Sequence, residues 1–425
     1  MKNKIFLLTI ILVSILYSQQ MVDFKTLVDS NTTKEERQKF REQTINETIR
    51  KNLLLLLNDA NEAKWQEAFE ASEVMLYKDA LIYKSLKQSL SDFKKRSTGF
   101  LRASLEAVYC LYPKEFSNEI LNIARTTDNA KLFAMSVNYL VRAISTEKLK
   151  SDLTKLMKAK FNNWKENPIL YMLDVRLFSK QKTPAISLTE ILRNTAPGEL
   201  VIFSLQRKNR DYQGLVLIRK PDGNFVRDDF GRIFNVPQLA RGIANLPDYI
   251  TDGNTPQGIL SVQGIDTSKS VFIGATPNIQ LILPFENKFV KYFHTTEEVK
   301  DTNWLDSYSN LLPPKYRDNP LFYEAYYAGK AGRTEIISHG TTIDPEFYYG
   351  QPYYPNTPTL GCLCAKEIWS EADGKCLTSD QAALMNAFYS AGSSNGYLMV
   401  VELDDQNKPV IFDEVLIDIL KSEKK

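Results

Sequence analysis

The chain is poor in the residues that most often carry chemistry. Its 425 residues include two histidines, His294 and His339, and four cysteines. Four cysteines are too few for a disulfide scaffold in a chain this long. A structural zinc is also excluded: the C-x-C pair Cys362/Cys364 and Cys376 have no nearby histidine and lack a fourth ligand. Charge of one sign is missing as well, with 53 basic against 51 acidic residues. Such a balance, with no basic cluster interleaved with aromatics, argues against nucleic-acid binding. Glu286 and Asp344 form no carboxylate pair of the kind glycoside hydrolysis needs. Glycine is nearly absent from the first half, where Gly99 is the only one before Gly198. No metal or cofactor is expected.

Long apolar runs are scarce too, with one exception at the start. Lys2 and Lys4 precede thirteen apolar or hydroxyl-bearing residues, Ile5–Tyr17. A bilayer span takes about 20 residues, so this run has the length of a signal-peptide core instead. The expectation is a signal peptide over 1–18 and an exported protein, periplasmic or envelope-associated, with no stable transmembrane span.

Residues 19–190 read as a helical domain. Trp65, Phe69 and Leu76, then Ile82, Leu86, Leu90 and Phe93, recur at helical spacing. SLEAVYCLYPKEFSNEIL aligns with AMSVNYLVRAISTEKLKSDL at an offset of about 32 residues, as stacked helix pairs of a HEAT-like solenoid would. A plain helical bundle fits the same pattern. An envelope protein is a conceivable partner for this half.

Past Pro197-Gly198 the pattern changes. ELVIFSLQR, GLVLIRK, FVRDD, GILSVQG, SVFIGA, NIQLILPF, TEIISHG and YLMVVELDD read as short strands between turn residues. Helices are expected near Gln238–Ile243 and over SDQAALMNAFYSA. The fold class is therefore α+β and multidomain: helices to 190, then a mostly-β domain over 191–425.

The chemistry, if any, falls in the second half. His339 precedes Cys362 by 23 residues, and Gly361 leaves the backbone room for a tight turn beside the thiol. A free thiol has a pKa near 8.5 and gains nucleophilicity from an adjacent base. By residue types alone the pair fits either a catalytic dyad or a buried histidine and a disulfide cysteine. A papain-like enzyme is disfavoured, since it would place Cys before His.

ISHGTT followed by TLGCLC resembles the signature of YkuD-type L,D-transpeptidases, in which His-Gly, a spacer and Ser/Thr-His-Gly-Cys occur in that order. GNTPQGILSV upstream resembles that domain's Thr-Pro-x-Gly strand. The resemblance spans roughly 198–405 and implies a mostly-β catalytic domain acting on peptidoglycan stem peptides. It implies Cys362 as nucleophile, His339 as base, the Gly340 carbonyl as orienter of the imidazole, and an oxyanion site at the Gly361–Cys362 turn. Transfer of the acyl group to an amine gives a crosslink; transfer to water gives carboxypeptidase trimming. The chain departs from the pattern at Leu360, where a second histidine is usual, and at Cys364, where Arg or Asn is usual. Those departures keep a different class in view, a non-catalytic envelope binding or scaffold protein. Tyr348, Tyr349, Tyr353 and Tyr354 read as an aromatic lid or as loop packing, and Arg333 as a contact for a substrate carboxylate. With Cys362 so assigned, Cys364 and Cys376 remain as an expected disulfide.

Overall fold

The structure, a computed structural model, describes residues 21–179, 186–296 and 303–423. The expected signal segment lies outside the described residues. No helix among the described residues is long and apolar enough to cross a membrane.

The first half is helical, as its spacing implies. Side-chain caps start the helices: Asp79 accepts from Ile82 N–H, Ser97 from Phe100 N–H, and Asn129 from Lys131 and Leu132 N–H. The 32-residue offset maps helix Thr98–Leu111 onto Ala130–Ile144, and Ser117–Thr126 onto Glu147–Lys160. Trp65, Phe69, Phe100, Phe133 and Leu140 fill the core between these helices. That core is not self-sufficient. Leu246, Tyr249 and Ile250, from a loop of the second half, are buried within it.

Among the described residues ten strands follow: β1 (Val201–Gln206), β2 (Gly214–Arg219), β3 (Val236–Gln238), β4 (Gly258–Asp266), β5 (Asn278–Ile282), β6 (Ile337–His339), β7 (Leu363–Cys364), β8 (Glu367–Trp369), β9 (Cys376–Ser379) and β10 (Gly396–Glu402). Eight of them form one sheet in the order β3-β2-β1-β10-β4-β5-β6-β7; β8 and β9 pair separately. β1 runs parallel to β10, and β6 parallel to β7. Leu239, just past β3, exchanges two 2.8 Å backbone bonds with Cys364 of β7. The two edges thereby meet, and the sheet is nearly closed.

Side chains alternate across this sheet as its period of two requires. Ile202, Val216, Leu260, Leu398 and Leu363 share one core with helix Asp380–Ser390. Val201, Phe203, Leu217 and Met399 share another with helices Leu188–Asn194 and Phe412–Ser422 and a cluster of tyrosines. With apolar residues on both faces, the strands read as continuous hydrophobic runs.

Four expectations change. Residues 238–243 are not helical, because they supply Leu239 to the closing seam. Neither FVRDD nor SVFIGA is a strand: the first makes only isolated bridges and the second folds as turns. Helices are more numerous in the second half than its pattern suggests: Trp304–Leu311, Glu324–Lys330 and Phe412–Ser422 are all present. The halves also interleave. Helix Leu188–Asn194 packs into the β half, and at the other end Val28 bridges Lys375 while Asp29 N–H bonds Gly374 carbonyl.

Candidate functional site

Parallel pairing of β6 and β7 brings the two sequence motifs together. Ser338 faces Leu363 and His339 faces Cys364. Leu363 points into the core shared with helix Asp380–Ser390. By alternation Cys364 and His339 share the opposite face. Cys362 immediately precedes β7, and its sulfur meets the start of β6 at Ile337, two residues before His339.

The histidine is held by its own chain. His339 is buried, and its Nδ1 bonds the Gly340 carbonyl. A carbonyl only accepts, so Nδ1 carries the proton and Nε2 is left with a free lone pair. Burial pulls the imidazole down from 6.5 to about 4, against a smaller upward push from the Gly340 bond. The ring is therefore neutral at physiological pH and competent to accept a proton.

Cys362 is half-buried. Its Sγ receives Ile337 N–H at 3.4 Å and lies 3.5 Å from Glu335 carbonyl. It makes no hydrogen bond to His339. Burial raises the thiol to about 11, opposed by Ile337 N–H and the Arg333 guanidinium. The resting pair is thus neutral thiol and neutral imidazole rather than thiolate and imidazolium.

The turn carrying the thiol is fixed from below. Gly361 has φ of +106°, and a methyl there would lie 2.2 Å from Arg333 Nη2 and 2.7 Å from Gly253 carbonyl. Only glycine fits both the conformation and the space. Thr255 Oγ1 donates to Gly361 carbonyl at 2.9 Å. The upstream Thr-Pro-Gln-Gly stretch therefore physically meets the Leu-Gly-Cys turn.

The other expected residues divide. Arg333 is buried and donates to the carbonyls of Asp248, Gly253 and Asn254, so it braces the turn and has no free face for a substrate carboxylate. Tyr353 is 2% exposed, with Arg241 stacked 4.4 Å from its ring centre, which removes it from any lid. Tyr348 is buried and donates to Val74 carbonyl in the helical half. Tyr349 is 74% exposed and packs edge-on against the exposed Tyr354 at 5.6 Å. Leu360, at the lip of the thiol turn, is 62% exposed. His294 lies 2.9 Å from Ser261 Oγ and 3.1 Å from Gly396 carbonyl, away from the pair.

The expected Cys364–Cys376 disulfide is not formed; all four cysteines are free thiols. Cys364 Sγ lies 3.7 Å from Thr357 Oγ1 on the main sheet, whereas Cys376 Sγ bonds Thr378 carbonyl in the separate two-stranded sheet. Each thiol has its own polar neighbour, and burial raises both to about 12. No group of His, Cys, Asp and Glu among the described residues is arranged to hold a metal.

Sequence reasoning missed Thr255, Gly253 and Glu367. Thr255 lay within a quoted motif, but nothing in the sequence said what its hydroxyl would touch. Glu367, three residues past Cys364, is buried against Gly340. Comparison with family models, curated proteins and solved structures returns no match.

Proposed function

We propose that the second half is a cysteine acyltransferase of the L,D-transpeptidase type, exported and acting on peptidoglycan stem peptides. The observation that carries this reading is the oriented imidazole: His339 is locked by the Gly340 carbonyl on a strand paired in parallel with the cysteine strand. In the reaction the His339 Nε2 takes the Cys362 proton as Sγ attacks the carbonyl carbon of the scissile peptide bond. The tetrahedral intermediate collapses, the amine leaves with that proton, and a thioester remains on Cys362. An acceptor amine or water then attacks the thioester and loses its proton to His339, and the proton passes on to the departing thiolate.

Because thiol and imidazole are both neutral at rest, the nucleophile forms only when substrate brings them into line. The expected behaviour is slow reaction with simple alkylating agents and faster acylation by a shaped acyl donor. Treatment with a carbapenem-type β-lactam should add one acyl group at Cys362, read by intact mass. Cys362→Ala should abolish the adduct and Cys364→Ala should not. An adduct that survived Cys362→Ala would refute the assignment.

A second reading rests on a specific observation, the absent thiol–imidazole hydrogen bond beside the apolar, exposed Leu360. On that reading the domain binds wall peptides without turnover. Retention of muropeptides without crosslinking or trimming would select it.

A further inference from the structure

The segment after His339 is gripped along its length by residues 365–369. Ala365 N–H donates to His339 carbonyl at 2.9 Å. Thr341 N–H donates to Glu367 Oε2 at 2.9 Å, and Trp369 Nε1 donates to Thr341 carbonyl at 2.8 Å. The middle contact has a particular geometry. Gly340 C=O and Thr341 N–H belong to one planar peptide group and point in opposite directions. The Glu367 carboxylate therefore holds one side of the peptide whose other side accepts the His339 Nδ1–H.

Glu367 is itself tightly placed. It is buried, and its Oε1 accepts from Thr276 Oγ1 and Ser379 Oγ, both at 2.6 Å. Three donors from three separate segments converge on one carboxyl. A methyl on Gly340 would lie 2.2 Å from that carboxyl, so the carboxylate approaches this closely only because residue 340 is glycine. The Gly in His-Gly thus has a physical reason in this chain.

We propose that Glu367 is a positioning residue for His339, acting through the 340–341 peptide. Accepting the Thr341 N–H polarises that peptide and makes the Gly340 carbonyl a stronger acceptor for the imidazole Nδ1–H. The arrangement is a carboxylate–histidine pair with one peptide group inserted between the two. It holds the Nδ1–H tautomer and strengthens Nε2 as a base. The inference rests on the functional reading above for its catalytic consequence, but its structural content is independent of that reading.

The chain's two histidines make a direct test possible. Ring 15N and 13C resonances of His339 and His294 should be followed with pH in wild type, Glu367→Gln and Glu367→Ala. The expected result is an Nδ1–H tautomer for His339 in wild type. In Glu367→Gln its pKa should fall by about half a unit or more, and in Glu367→Ala the tautomer should become mixed, with His294 unmoved in both. Acylation of Cys362 by the β-lactam probe should slow about ten-fold in Glu367→Gln. A folded Glu367→Gln protein whose His339 tautomer and pKa match wild type would overturn the proposal. If Glu367→Ala does not fold, the glutamine variant decides alone. If wild type takes no acyl group, the functional reading fails while the resonances still decide the role of Glu367.

Discussion

Two buried polar clusters organise the second half, and they solve the cost of burial in opposite ways. Between the halves, Arg176 reaches out of the wide helical turn Asp174–Phe178 to Glu324, Glu402 and Asp248. Arg210 adds a second cation at 3.0 Å from Glu402. There Arg176 and Glu402 stay charged and paired, while burial pushes the Glu324 and Asp248 carboxyls up. Arg176 is held well above its usual value by three carboxylates despite burial, and Glu402 is pulled down to about 2 chiefly by Arg176 and Arg210. At the candidate site burial wins instead, and both Cys362 and His339 stay neutral. A paired charge cluster makes a rigid joint. A neutral pair keeps its proton transfer in reserve, since neither group is committed to a partner of opposite charge.

The largest effect should come from breaking the charged joint. Arg176→Met leaves three buried carboxylates short of a partner and should cost about 3–5 kcal/mol of stability, measured by urea unfolding. Cys362→Ala should change stability by no more than about 1 kcal/mol in the same assay. Equal losses in the two variants would erase the distinction between joint and site.

Acid should separate the clusters next. The His339 pKa is depressed in the folded state, so its contribution is fully present above about 6.5 and is lost as pH falls through about 4. Relative to His339→Gln, wild type should lose about 3 kcal/mol across that window. Glu402 is also depressed, so its contribution holds above about 4.5 and fades only as pH falls through about 2. Stability against pH for wild type and His339→Gln should therefore diverge below pH 6.5, well before Glu402 is titrated.

A smaller loss should follow Gly361→Ala. The left-handed backbone and the approach of Arg333 together should cost about 1–3 kcal/mol, with slowed acylation at the neighbouring Cys362. Smallest of all is the effect of reductant. Unfolding in its absence should expose four alkylatable thiols, counted by intact mass, and a count of two would restore the Cys364–Cys376 bridge.

How far the sequence could be read follows from the range of each interaction. Helix spacing is local, so the first half was legible down to the 32-residue offset. Strand identity was legible where runs were strongly apolar, as at ELVIFSLQR and YLMVVELDD. It failed at 238–243, where a helix-like pattern is overridden by pairing with Cys364, over a hundred residues away. The same limit governs the site. His339 and Cys362 were singled out because their types are rare and reactive. Arg333 was misassigned because a cation shortly before the histidine motif looks free in sequence. Its partners are backbone carbonyls, which carry no sequence signal. Thr255 and Glu367 were passed over for a related reason: a threonine or a lone glutamate becomes informative only once the fold brings it to a glycine.

The course of the chain carries a last consequence. The described residues start against helix Asp380–Ser390 and β9, leave to build the helices, and return to the main sheet at Leu188; meanwhile Asn138 holds Tyr249 and Tyr348 reaches Val74. The helical half is therefore an excursion from a discontinuous barrel unit and not a module strung in front of it. A protease cut made between Ser179 and Leu188 should leave two fragments that stay together in native gel filtration and part only in denaturant. By the same logic, the β half expressed from residue 186 onward would lack the Leu27–Asp29 segment that pairs along Gly374–Cys376 and the helices that cradle Tyr249. Engineering of this protein has to treat the two halves as one inheritable piece.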